Sequence, residues 1–160
     1  DTGRLDQVSR GVYTLPEVWE DEFVSIQERY KRGVFALDTA LFLHDLTDRT
    51  PHKFHMAFPY GYNTSSPKAA GILCSCKKEP YYSLGIALVD TPAGNTVRAY
   101  NAEKTLCEIL KPISHTDIQI ITDAFKRYAG RKDKNIPLLS EYAHQLRVEK
   151  RLRPYLEVLL

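Results

Sequence analysis

The sequence has little cysteine and no long apolar run. Three cysteines occur among 160 residues, and an odd number does not suit a framework of paired disulfides. No apolar stretch approaches the roughly 18 residues that a membrane-spanning helix needs, and the first residues do not form a signal peptide. We therefore expect a protein of the reducing cytoplasm, with no disulfide and no membrane partner.

Motifs that indicate an enzyme class or a cofactor are also missing. The chain has no glycine-rich phosphate-binding loop and no Gly-x-Ser-x-Gly elbow. Cys74 and Cys76 have one residue between them instead of the two typical of a zinc or redox pair, so we interpret them, like Cys107, as core residues. His52 and His55 should point to different sides of an extended segment, and no further ligands complete a metal site. We predict no cofactor, no metal site and no catalytic residue.

A catalytic alternative stays open in three acidic residues, Asp48, Asp90 and Glu103. A metal-dependent, nuclease- or transferase-like site that acts on nucleic acid needs carboxylates and a lysine that converge on one metal. Glu103 and Lys104 are adjacent on a predicted helix, so they should face different ways. The pattern therefore favours a protein that is not an enzyme.

Basic side chains concentrate towards the end of the sequence. The window from 126 to 153 has nine basic and three acidic residues, so its net charge is +6, whereas the whole chain carries +2. Such an asymmetry is typical of a polyanion partner, or of a partner protein with an acidic face. A solvated helical surface is the alternative. The predicted nucleic-acid-binding residues of this window are Lys126, Arg127, Arg131, Lys132 and Lys134.

The spacing of apolar residues predicts a sheet followed by helices. Strands are predicted at 53–58, 72–77, 86–89 and 96–100, with a loop at 59–71. Helices are predicted at 16–31, 38–45, 101–110, 114–130 and 135–146, with a final helix after them. The fold class is therefore α+β: a small antiparallel or mixed sheet packed with helices, then a C-terminal helical run.

Polar residues ahead of the helices predict where they begin. Asp38, Asn101 and Asn135 are N-cap candidates, and Ser114 with Asp117 resembles a capping box. The turn "DTPAGN" predicts an antiparallel hairpin between the last two strands. The alternation at 53–58 predicts a strand with one buried face.

The first fifteen residues predict a β-hairpin, in which strand-like residues flank a tight basic turn at Ser9-Arg10-Gly11. Arg4, Ser9 and Arg10 are candidates for contacts to phosphate groups, and an ordinary β-turn is the alternative. A two-stranded ribbon alone is marginally stable in water. We therefore expect this hairpin to belong to a larger domain.

Five phrases of the chain, in their order and spacing, resemble successive segments of one known family. They are "VSRGVYTLPE", "VFALDTALFLHDLTDRTP", "FPYGYN", "VDTPAGNTVRAYNAEKTLCEIL" and "ITDAFKRYAGRKDKNIPLLSEYAHQL", which begin at residues 8, 34, 58, 89 and 121. Together they resemble the AbiEi-family antitoxins of type IV toxin–antitoxin, or abortive-infection, systems. In that family a phrase like the first closes the wing of a winged helix-turn-helix domain.

The resemblance implies a protein of two parts. Residues 1–15 would be the wing remnant of an N-terminal winged helix-turn-helix domain that binds operator DNA, and residues 16–160 would be the C-terminal antitoxin domain. The implied functional partner is a cognate nucleotidyltransferase-like toxin, opposed without a stable complex. The expected function is that of an antitoxin and DNA-binding transcriptional autorepressor. A module that binds the toxin directly is a further alternative.

Overall fold

The computed structural model describes residues 21–159, so the predicted wing at 1–15 lies outside the described part. Within 21–159 there are seven α-helices and a five-stranded mixed sheet, which confirms the α+β class. The helices are α1 (Glu22–Arg29), α2 (Leu37–Leu43), α3 (Ser65–Ala69), α4 (Ala102–Ile109), α5 (Ile118–Ala129), α6 (Ile136–Leu146) and α7 (Glu149–Leu159). The strands are β1 (Val34–Phe35), β2 (His55–Pro59), β3 (Leu73–Lys77), β4 (Ile86–Asp90) and β5 (Thr96–Tyr100).

The strands lie in the order β3-β2-β1-β5-β4 across the sheet. β4 and β5 form the predicted antiparallel hairpin, in which Val89 pairs with Val97. β1 is antiparallel to β2 and parallel to β5, and β2 is parallel to β3. A parallel pair needs a crossover, and the short helix α3 lies in the crossover from β2 to β3, within a segment predicted as loop.

Aromatic side chains fill one face of the sheet beneath α1. The ring centroid of Phe23 in α1 lies 5.4 Å from that of Phe35 and 4.7 Å from that of Phe54. Met56 and Phe58 of β2 are fully buried in the same layer. Removal of these apolar surfaces from water is what stabilises the packing of α1 on the sheet.

In the described part α1 begins at Glu22, and residues 16–20 of the helix predicted at 16–31 lie outside the described residues. Asp21 has extended backbone, and its Oδ1 accepts a hydrogen bond from the Phe23 N–H at 3.0 Å. Its Oδ2 accepts from Thr91 Oγ1 at 2.6 Å and from Asn95 Nδ2 at 2.9 Å. The carboxylate thus caps the helix and holds it against the β4–β5 turn, a tertiary contact that helical periodicity does not reveal.

β2 is buried on both faces, so the predicted strand with one buried face is wrong. Met56, Ala57 and Phe58 are all buried. β2 lies inside the sheet, and on its second face Tyr82 and Tyr100 pack with Ala57. Strands that are covered on both faces read as near-continuous apolar runs, and the buried centre of β2 follows this pattern.

The two asparagine caps are confirmed. Asn101 Oδ1 accepts from the Lys104 N–H at 2.8 Å, at the start of α4. Asn135 Oδ1 accepts from the Leu138 N–H at 3.1 Å, at the start of α6. In both places a short side-chain acceptor satisfies a backbone donor that the first helical turn leaves unpaired.

The other two cap predictions are wrong. Asp38 lies inside α2, which begins after the extended residue Ala36 and has no side-chain cap. Asp117 itself caps α5, because its Oδ1 accepts from the Gln119 N–H at 2.7 Å. Ser114 belongs to a separate 3₁₀ turn that precedes the helix.

The three cysteines differ in their surroundings. Cys107 is buried in α4, as predicted, and Cys74 is half-buried. Cys76 is exposed, so its interpretation as a core residue is wrong. It lies on β3, which has a neighbouring strand on one side only within the described sheet.

α4 lies at the centre of the described molecule, and all eight of its residues are buried. Leu106 and Ile109 belong to an apolar core that includes Leu41 of α2, Phe125 of α5 and Leu139 of α6. Helices of the C-terminal run therefore pack directly on α4.

The charged side chains of α4 face different ways, as predicted for the Glu103–Lys104 pair. Glu103 Oε2 accepts a hydrogen bond from the Tyr128 hydroxyl of α5 at 2.6 Å. Lys104 Nζ donates to the carbonyl oxygens of Tyr81 at 2.8 Å and Leu84 at 3.0 Å. One helix thus holds the C-terminal run on one side and the β3–β4 loop on the other.

The β3–β4 loop packs closely on Lys104 at Gly85. Gly85 has a φ of +83°, and a Cβ there would lie 2.7 Å from Lys104 Cβ. Gly94, in the β4–β5 turn, has a φ of +92° and nothing within 4 Å of such a Cβ. The two glycines therefore share a backbone requirement, but only Gly85 also has a steric one.

We predict that Gly85→Ala destabilises the fold more than Gly94→Ala. Gly94→Ala is the control, and it should lower the free energy of unfolding by about 1 kcal/mol, because alanine is strained at a left-handed φ. Gly85→Ala has the same backbone strain and should lose about 2 kcal/mol more through overpacking against Lys104. Urea denaturation of both variants measures the difference. Equal losses would contradict close packing of the loop on α4.

Candidate nucleic-acid interface

The basic window of the sequence separates into two clusters at opposite ends of α6. The α5–α6 cluster, at the end of α5 and in the turn after it, consists of Lys126, Arg127, Arg131, Lys132 and Lys134. The α6–α7 cluster, at the next corner, consists of Arg147, Lys150, Arg151 and Arg153. α6 has 11 residues, so at 1.5 Å per residue the clusters lie roughly 16 Å apart.

Arg127 is already engaged by acidic side chains. Its Nε donates to Asp123 Oδ2 at 2.9 Å, one helical turn earlier in α5. Its Nη2 lies 3.9 Å from Asp48 Oδ2. Both acids are substantially exposed, and such surface pairs contribute little to stability. A phosphate that binds Arg127 would compete with these two carboxylates.

Arg131 holds the α5–α6 turn to the end of α2. Its Nε and Nη2 each donate to an oxygen of Asp133 at 2.9 Å, and its Nη1 donates to the His44 carbonyl at 2.9 Å. These hydrogen bonds from Arg131 hold the pKa of Asp133 below its ordinary value. The guanidinium is therefore used within the fold, and its predicted contact with nucleic acid stays a prediction.

Lys126 and Lys132 are the free cations of the α5–α6 cluster. Both are exposed, and neither has an acidic group within 4.0 Å among residues 21–159. Lys134 is also exposed, but its Nζ donates to the Ala129 carbonyl at 2.8 Å, near the C-terminal end of α5. Lys126 and Lys132 are thus the members best placed to meet an external anion.

The α6–α7 cluster surrounds a shallow hollow. Arg147 ends α6 with a left-handed φ of +61°, and Lys150 and Arg151 lie in the first turn of α7. The hollow is lined by these three with His144 and Glu149. Glu149 Oε2 lies 3.2 Å from His144 Nδ1, so in the described part this acid faces the histidine and not the arginines or Lys150.

The three acids of the catalytic alternative do not converge in the described structure. Glu103 is buried against Tyr128, whereas Asp48 is exposed beside Arg127. Asp90 is exposed at the end of β4. Across residues 21–159, no group of three or more His, Cys, Asp or Glu side chains is placed to hold a metal ion.

Arg4, Ser9 and Arg10 lie outside the described residues, so their predicted contacts with phosphate stay predictions. The sequence analysis also missed a buried ionic group formed by Lys77, Lys104 and Glu108. The spacing of Lys104 and Glu108, four residues apart on one helix, is a sequence signal for that pair. The contact with Lys77 joins β3 to α4, and no local pattern predicts it.

No protein-family model matches the chain, and no curated protein matches it. In the part that the structure describes, no helix combines the length and the apolar composition needed to cross a membrane.

We predict that charge reversal at the free cations weakens DNA binding. Replacing Lys126 and Lys132 by Glu removes two phosphate contacts, so the slope of log Kobs against log salt should become shallower by about 1.8 for duplex DNA. Fluorescence anisotropy with one duplex at several salt concentrations gives this slope.

The matched control is Lys31→Glu with Lys53→Glu, which makes the same charge change at exposed positions that belong to neither cluster. This pair should leave the slope unchanged and lower affinity only slightly. If both double variants lose affinity and slope equally, binding depends on net charge and not on the α5–α6 cluster.

Proposed function

We propose that this chain is the antitoxin and DNA-binding transcriptional autorepressor of a type IV toxin–antitoxin, or abortive-infection, system. It acts in the cytoplasm, is not an enzyme and counteracts a cognate nucleotidyltransferase-like toxin. The proposal is supported by the ordered resemblance of five phrases to the AbiEi family. It places operator recognition in the domain to which residues 1–15 belong and antitoxin activity in residues 16–160.

The observation that carries the proposed interaction is the pair of basic clusters. Lys126 and Lys132 at one end of α6, and Arg147, Lys150 and Arg151 at the other, are exposed. Lysines and arginines that neutralise phosphates release bound counterions, which drives binding without sequence preference. A separation of roughly 16 Å corresponds to about five nucleotide steps at 3.4 Å along one strand. That length lies within the reach of one nucleic-acid strand.

A protein-interaction module is the second candidate, and exposed apolar residues near the α5–α6 cluster favour it. Ile118 is 64 % exposed at the start of α5, and Ile113 is 80 % exposed in the turn before it. Ile118 and Lys126 line the same shallow hollow on α5. An apolar surface beside cations suits a partner protein with an acidic rim. In that case the toxin itself would be the partner.

We predict that residues 1–160 alone restore growth to cells that express the cognate nucleotidyltransferase-like toxin. The Lys126→Glu, Lys132→Glu variant should rescue less well, because its cluster no longer attracts an anion. The Lys31→Glu, Lys53→Glu variant should rescue fully. Colony counts, with the amount of soluble protein measured for each variant, test both statements.

The outcomes separate the two candidates. Rescue without co-elution of chain and toxin in size-exclusion chromatography agrees with a type IV antitoxin. Rescue with a stable complex that the Lys126→Glu, Lys132→Glu variant disrupts favours the interaction module. No rescue by a folded wild-type chain would contradict antitoxin activity in residues 16–160.

A further inference from the structure

A hollow of about 460 Å³ lies at the N-terminal end of α1. Its apolar wall comes from five parts of the chain: α1, the end of α2, the segments just before β2 and β3, and the β4–β5 turn. We call it the aromatic hollow, and its apolar wall consists of Phe23, Ile26, Phe42, Phe54, Ile72 and Pro92. Its volume is within the range of sites that enclose a small molecule.

Three phenylalanines of the wall pack on one another and leave part of their surface open. The ring centroid of Phe23 lies 6.2 Å from that of Phe42, with the two rings 9° from parallel, and 4.7 Å from that of Phe54. Phe23 is buried, whereas Phe42 and Phe54 are only partly buried. Apolar surface in contact with water is unfavourable, and aromatic rings pack well on other rings. The hollow therefore favours an aromatic occupant.

The described chain begins at the rim of this hollow. Asp21 directly precedes Glu22, which also lines it. The Asp21 carboxylate accepts hydrogen bonds from Thr91 and Asn95 in the β4–β5 turn, and Pro92 of the same turn is part of the wall. The point at which the preceding residues join the fold is thus fixed beside the hollow.

A large aromatic residue stands close to that point in the sequence. Trp19 is the one tryptophan of the chain and comes two residues before Asp21. Two residues span at most about 7 Å even when extended, so the Cα atom of Trp19 is within that distance of the Asp21 Cα atom. The backbone of Asp21 is extended, so the preceding residues leave the axis of α1. The Trp19 side chain is therefore within reach of the hollow.

We propose that Trp19 docks its indole ring in the aromatic hollow. The ring covers the open surface of Phe42 and Phe54 and completes the apolar layer beneath α1. The indole N–H faces the open side of the hollow, where water accepts its hydrogen bond. Docking joins residues 1–15 to the described fold by a contact in addition to the peptide chain, so the domain to which they belong is held at this end of α1. This inference does not depend on the proposed function.

Because the chain has a single tryptophan, the fluorescence of residues 1–160 tests the proposal directly. We expect emission at shorter wavelength than that of the urea-unfolded chain, and weaker quenching by acrylamide. Ala70→Glu adds a charged side chain at an exposed position that lines the hollow. It should lower the ratio of docked to free Trp19 roughly fivefold or more, the equivalent of one lost aromatic contact, and so increase quenching.

The matched control is Ala69→Glu, the same substitution at the neighbouring position. Ala69 is also exposed and is not among the described residues that line the hollow, so this variant should leave quenching unchanged. Both positions are exposed, so neither substitution removes core packing. Equal quenching in the two variants would overturn the proposal, and so would a wild-type indole that is quenched as readily as in the unfolded chain.

NMR identifies what fills the hollow. We expect nuclear Overhauser effects from the indole protons of Trp19 to the rings of Phe42 and Phe54, independent of protein concentration. Free indole at millimolar concentration should shift the Ile72 amide signal in Trp19→Ala but not in the wild type, because the wild-type hollow is occupied. An indole ring buried elsewhere, burial that appears only as protein concentration rises, or equal binding of free indole by both chains would contradict docking of Trp19. The second of these results would assign the hollow to another copy of the chain, and the third to a small ligand.

Discussion

α4 is buried on every side, and the elements around it must therefore provide a partner for each of its charged side chains. A buried charge costs several kcal/mol unless it is paired, and this helix carries three. Glu103 accepts a hydrogen bond from the Tyr128 hydroxyl, and Lys104 donates to carbonyls of the β3–β4 loop. Glu108 forms an ion pair with Lys77. Each charge of α4 therefore fixes a different neighbour, and together they join the sheet to the C-terminal helices.

Charged side chains at the surface differ from those at the centre, because some of them have no partner of opposite charge in the described part. The charges of α4 are matched by the fold, whereas Lys126 and Lys132 are exposed without acidic partners in the described part. Arg131 lies between these extremes, because the fold uses its guanidinium to hold a turn. A charge that the fold has already paired is poorly available to a partner, so the exposed lysines are the better candidates for an anion interface.

Features with local causes could be predicted from the sequence. Asn101 and Asn135 cap their helices because the donors that they satisfy lie within three residues, and the β4–β5 hairpin follows from its turn. Features with distant causes could not. Asp21, which caps α1, accepts a hydrogen bond from Thr91 in the distant β4–β5 turn. Arg131 donates to a carbonyl oxygen 87 positions away in the sequence. The Lys77–Glu108 ion pair needs the β3 edge to meet α4, so no local sequence pattern predicts it.

The central claim is that α4 makes the sheet and the helical run one cooperative unit. Native-state hydrogen exchange tests it directly at the backbone amides of Leu106 and Cys107. If α4 joins the two parts, these amides exchange only through global unfolding, with the free energy that urea denaturation gives for the whole chain. If they exchange through a smaller opening while β2 and β5 stay protected, the helical run unfolds on its own and α4 does not hold the parts together.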